Sequence, residues 1–117
     1  MAVEVEFKSE LNDWPDMHFA LTIPSNLSEE GRAGLTDLLR SWYVVGFHGG
    51  FGPADYPNGS GRFHFMTDPC FEDGADDDLI VTWRLDAGGA PQRVLDALVH
   101  MLDDWSANRG VLRLAME

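Results

Sequence analysis

The stretch Leu79-Ile80-Val81-Thr82-Trp83-Arg84-Leu85-Asp86 decides how the rest of the chain is read. Leu79, Val81, Trp83 and Leu85 alternate with Ile80, Thr82, Arg84 and Asp86. Alternation with period two is the mark of a strand that buries one face and leaves the other open. Such a strand needs a covering layer on its apolar side only.

Working outward toward the C-terminus, the turn Asp86-Ala87-Gly88-Gly89-Ala90 leads to Pro91, suited to the first position of a helix. Val94, Leu95, Leu98, Met101, Leu102 and Trp105 form the buried stripe of that helix. Asn108-Arg109-Gly110 closes it with glycine as the left-handed cap, and Val111 to Met116 reads as a terminal strand. Toward the N-terminus, Asp68, Glu72, Asp73, Asp76, Asp77 and Asp78 fall in a segment without a basic residue, read as a solvated loop. Before it, Arg62 to Thr67 alternates as a strand, with Phe63, Phe65 and Thr67 on one face.

The segment from Gly46 to Gly61 carries six glycines and two prolines. Glycine costs backbone entropy in a regular element and proline removes an amide donor, so a long loop is expected. It holds Phe47, His48, Phe51 and Tyr56, which makes Phe51 and Tyr56 candidate anchors for a partner. It contains no lysine and no phosphate-loop spacing, which argues against nucleotide binding.

Ahead of the loop, Ser28-Glu29-Glu30 starts a helix whose stripe is Leu35, Leu38, Leu39 and Trp42, ending near Tyr43 to Val45. Val44 to Phe47 then reads as a short strand. Val3, Val5 and Phe7 form one N-terminal strand, and Met17, Phe19, Leu21 and Ile23 form a second, expected to return as an antiparallel hairpin. The order is β followed by β-α-β-β-α-β in a single domain, residues 1–117. The expected fold is α+β: a ferredoxin-like sandwich with an extra N-terminal strand and two helices on one face of an antiparallel sheet.

Composition narrows the function. The 117 residues are 44% hydrophobic and carry a formal net charge of −12. That field, screened over roughly 8 Å at physiological salt, repels phosphates and anionic lipids and attracts basic surfaces. Direct nucleic-acid and membrane binding are therefore not expected. With a single cysteine, Cys70, there is no internal disulfide, and with no leader-like segment a cytoplasmic location is expected. No cofactor, metal site or catalytic residue is assigned: His48 and His64 match no compact ligand spacing, and Cys70 adjoins carboxylates that disfavour a thiolate.

If the large apolar side chains face the helices, His18, Arg62, His64 and Arg84 share the open sheet face, with Arg113 near them. They form a candidate anion site, unless Glu4, Glu6 and Asp86 pair with them across strands. The strand ending at Ile23-Pro24, the Ser28-Glu29-Glu30 helix start and the Phe47 to Gly50 turn together resemble small ribosome-associated YggL-type domains. That resemblance covers less than half the chain and implies a ribosome-associated structural role.

The leading expectation is a small acidic interaction protein, an inhibitor that occupies the basic site of a nucleic-acid-handling enzyme. A phage anti-CRISPR or anti-restriction protein, or a toxin immunity protein, would act in this way. Its acidic contacts would be Asp68, Glu72, Asp73, Asp76, Asp77, Asp78, Asp96, Asp103 and Asp104. The alternative is an enzyme or anion-binding module on the open face, and the exposed aromatics would also suit a homodimer.

Overall fold

The computed structural model describes residues 3–7, 16–53, 59–89, 92–106 and 109–116. Its elements are β1 (Val3–Phe7), β2 (Asp16–Ile23), α1 (Glu29–Phe47), β3 (Phe65–Met66), β4 (Cys70–Asp73), β5 (Leu79–Asp86), α2 (Arg93–Trp105) and β6 (Leu112–Met116). The six strands form one mixed sheet in the order β1-β6-β2-β5-β3, with β4 also paired to β5. The protein is α+β, with two helices and a six-stranded sheet.

The two central strands carry the core. Met17, Phe19, Leu21 and Ile23 of β2 face the same side as Leu79, Val81, Trp83 and Leu85 of β5, and all are buried. Phe19 stacks on its cross-strand partner Trp83, with ring centroids 5.1 Å apart. Trp42 of α1 meets Phe19 edge-on at 6.0 Å and Phe63 at 4.7 Å. Its indole Nε1 donates to the Val94 carbonyl at 2.9 Å, which ties α1 to α2 without leaving a buried donor unpaired. Leu35 and Leu39 on α1, and Val94, Leu95, Leu98 and Leu102 on α2, complete the helical side.

Four expectations are corrected. β1 does not form a hairpin with β2: it pairs in parallel with β6, which lies between them, so the sheet is mixed rather than antiparallel. Alternation specifies which face a strand buries and not which strand becomes its neighbour. Second, α1 continues through Phe47 instead of giving way to a strand at Val44. Gly46, buried on the same helical face as Trp42, lets Phe63 lie against the helix: an added Cβ would sit 2.2 Å from that ring. The helix stops only afterwards, where Gly49 adopts φ +73° and the Gly50 amide donates to the Val45 carbonyl at 2.8 Å.

Third, the expected Arg62–Thr67 strand is shortened to Phe65–Met66. Phe63 turns into the core, its amide donating to the Gly46 carbonyl at 2.9 Å, whereas Phe65 is 42% exposed. Fourth, the acidic segment is not all loop: Cys70–Asp73 is a strand on the edge of β5. The break between β3 and β4 is bridged by Thr67, whose Oγ1 accepts from the Arg84 amide at 2.9 Å where a ladder carbonyl would otherwise stand. At the N-terminus of α1 the expected cap is present, Ser28 Oγ accepting from the Gly31 amide at 3.1 Å. The expected role of Pro91 falls outside the described residues.

Gly46→Ala tests the packing that sets the length of α1. The extra methyl group overlaps the Phe63 ring, so a loss of about 1–3 kcal/mol is expected in urea unfolding. A loss below about 0.5 kcal/mol, the range of an ordinary surface substitution, would contradict this packing.

Candidate functional site

The acidic edge is a hairpin. Cys70 to Asp73 of β4 run antiparallel to Leu79 to Thr82 of β5, the Asp73–Leu79 pair closing the turn. Within the turn the Gly74 amide donates to the Asp78 carbonyl at 2.7 Å and the Asp78 amide to the Ala75 carbonyl at 2.9 Å. That closure sets Asp76 at φ 53° and Asp77 at φ 65°, two consecutive left-handed non-glycine residues. Aspartate tolerates this region better than most L-residues, yet glycine would fit at lower cost.

Two of the six carboxylates are already engaged. Asp68 meets Arg40 at 3.0 Å and Asp78 meets Arg113 at 3.7 Å. Glu72, Asp73, Asp76 and Asp77 are exposed and make no ion pair among the described residues. The acidic residues of α2 are elsewhere. Asp96 and Asp104 are exposed and Asp103 half-buried on a helix that packs toward β1, while β4 lies beyond β5 at the opposite sheet edge. The nine acidic residues therefore form two separate groups.

The glycine-rich segment is held by a clamp that its own residues do not reveal. Arg93, at the start of α2, donates through Nε to the Phe51 carbonyl and through Nη2 to the Pro53 carbonyl at 2.8 Å. Gly52, at φ +91°, leaves space for that guanidinium, since a Cβ would lie 2.6 Å from Nη2. Phe51 is half-buried beside Phe63, with centroids 6.3 Å apart. Tyr56 lies outside the described residues. Exposed apolar side chains are found one turn earlier, at Val44, Val45 and Phe47. Their β-branched and aromatic character favoured a strand in the sequence and hid that surface.

On the open sheet face, His18 and Arg84 are cross-strand partners and line one depression of about 570 Å³ with Thr67, Asp68, Cys70 and Thr82. His64 does not line it, its Nδ1 lying 3.3 Å from Asp86 Oδ1. Arg62 packs beside Gly49 and borders the glycine-rich segment. The four proposed anion ligands are thus divided, and Arg84 also lies over the Phe65 ring at 5.7 Å. Among the described residues, no three His, Cys, Asp or Glu side chains are grouped as a metal site would need. No helix among them is long and apolar enough to cross a membrane. No protein-family model, curated protein or solved structure matches the chain.

Asp77→Gly measures the strain in the hairpin turn. Relief of the left-handed geometry is expected to raise unfolding stability by about 0.5–1 kcal/mol, read from the urea midpoint at constant slope. A decrease would mean that the Asp77 side chain stabilises the turn by more than its backbone costs.

Proposed function

We propose that the chain is a small acidic protein-interaction module that inhibits a nucleic-acid-handling partner by occupying its basic site. One observation carries this reading: Glu72, Asp73, Asp76 and Asp77 stand on one projecting hairpin with no basic counter-ion among the described residues. The four carboxylates, in two adjacent pairs at 72–73 and 76–77, offer charge and acceptor oxygens to arginine and lysine side chains. With a formal net charge of −12, they would steer encounter from beyond contact distance. The separate group Asp96, Asp103 and Asp104 would add to the long-range field rather than to the same contact.

The strand order supports a finer reading of the fold. With β1 set aside, β2-α1-β3/β4 and β5-α2-β6 are two β-α-β units interleaved in one sheet, an arrangement we read as ferredoxin-like. The helices then cover one face and the hairpin projects from the β5 edge. The alternative of a small-anion module rests on His18 and Arg84 alone, since Arg62 and His64 lie outside their depression.

Affinity capture from the source cell identifies the partner, and association kinetics then test the contact. The expected partner binds nucleic acid, is displaced by DNA or RNA, and associates more slowly as salt is raised. Replacing Glu72 by Gln and Asp73, Asp76 and Asp77 by Asn should lower the low-salt association rate about tenfold or more. Salt-independent association, or an unchanged rate in the fourfold variant, would overturn the proposal.

A further inference from the structure

β4 is hydrogen-bonded along one side. It pairs with β5 and with no other described strand, so its outer side is an open sheet edge. In an antiparallel pair the backbone groups point inward at every second residue and outward at those between. Two contacts fix which is which. The Gly74 amide donates to the Asp78 carbonyl at 2.7 Å, and the Arg84 amide donates to Thr67 Oγ1 at 2.9 Å, which puts the backbone groups of Asp78, Ile80, Thr82 and Arg84 on the β4 side of β5. Cys70 and Glu72, the partners of Thr82 and Ile80, therefore point inward, and Phe71 and Asp73 present N–H and C=O outward. Two residues before Phe71 stands Pro69, which has no N–H, so the row of donors ends there and the register of any added strand is set.

The side chains along this edge define what an added strand must carry. Glu72 lies on the open face, level with Ile80, while Phe71 and Asp73 lie on the helix side, level with Val81 and Leu79. Glu72 and Asp73 are exposed and make no ion pair among the described residues. Phe71 is half-buried, with the Arg32 guanidinium 5.3 Å from its ring centroid. A neighbour of Phe71 thus meets apolar surface with a cation already beside it. Neighbours of Glu72 and Asp73 meet uncompensated carboxylates, and the turn beyond adds Asp76 and Asp77.

We propose that the partner docks by β-augmentation. An extended segment adds to the β4 edge, hydrogen-bonded to Phe71 and Asp73, with an apolar residue beside Phe71 and lysine or arginine beside Glu72 and Asp73. Its basic half lies toward the turn. A second copy of this chain is a poor occupant, because carboxylates would face carboxylates along the edge. This mode of docking rests on the hairpin being the contact for a basic partner, and adds to that contact a backbone ladder of fixed register.

Two synthetic peptides of about eight residues, one with a lysine–arginine half followed by a valine–threonine half and one in the reverse order, cover both strand directions. At low salt, one of them should bind saturably in titration calorimetry. In the free chain the Phe71 and Asp73 amides should exchange rapidly with deuterium while those of Cys70 and Glu72 are protected. Peptide at about ten times its Kd should slow the outward pair about tenfold. N-methylating one alternate set of peptide amides keeps every charge and should weaken binding about fivefold or more, the other set having little effect. Replacing Glu72 by Gln and Asp73 by Asn should also weaken it about fivefold, with thermal unfolding unchanged.

No saturable binding by either peptide, equal affinity of both N-methylated forms and their parent, or outward amides left unprotected by bound peptide would overturn the proposal. In the last two cases a contact through charged side chains alone still stands. Protection of those amides in the dilute free chain, or on raising protein concentration alone, would show the edge already covered or taken by a second copy and would equally overturn it. Peptide binding unchanged in the Glu72 and Asp73 variant would remove the reading of the hairpin as well.

Discussion

The Trp42 side chain is the joint on which both layers depend. Its ring closes the aromatic column formed by Phe19, Trp83 and Phe63, and its single polar atom is satisfied by the Val94 carbonyl on the other helix. One residue thereby sets α1 against the sheet and α2 against α1. A buried indole whose N–H lost that acceptor would cost about 1–3 kcal/mol, so the two helices are fixed together rather than independently. Because both are committed to the same side, the opposite face is left uncovered. The depression lined by His18 and Arg84 is a consequence of this one-sided core.

The parts of the fold legible in the sequence were those governed by periodicity. Alternation along β2 and β5 placed their buried faces correctly, and the helix stripes did so for Leu35, Leu39, Trp42, Val94, Leu95, Leu98 and Leu102, while Leu38, Met101 and Trp105 lie half-buried at the margin of the core. What periodicity could not reach was neighbour choice and the exact run of an element. Val3 is buried and Val5 is 42% exposed, and their alternation reads the same whether β1 adjoins β2 or β6, so the parallel β1–β6 pairing left no local trace. The helix end was hidden because Val44 and Val45 favour a strand by type, while the packing of Phe63 on Gly46, seventeen positions apart in sequence, favours the helix.

The same division applies to the candidate sites. Acidity at residues 68–78 was obvious, but only the register separates the engaged Asp68 and Asp78 from the four carboxylates on the hairpin. The expected cation cluster failed at Arg62 because the chain between Phe63 and Phe65 does not keep strict alternation. Arg62 consequently packs beside Gly49, and His64 is drawn to Asp86. Arg93 is the contact hardest to foresee, since it joins α2 to the glycine-rich segment through two backbone carbonyls. Carbonyl acceptors exist at every residue, so no sequence motif marks the two it uses.

A sheet with two edges and one bare face is exposed to unwanted pairing, and charge placement answers each exposure differently. The β4 edge carries Glu72 and Asp73 beside the Pro69 interruption, and β1 carries Glu4 and Glu6, both of which repel a second acidic edge. On the bare face, by contrast, the signs are mixed: His18, Arg84 and Arg113 share it with Glu4, Glu6 and Glu72. The edge carboxylates thus oppose indiscriminate sheet extension, while the uncovered face keeps charges of both signs.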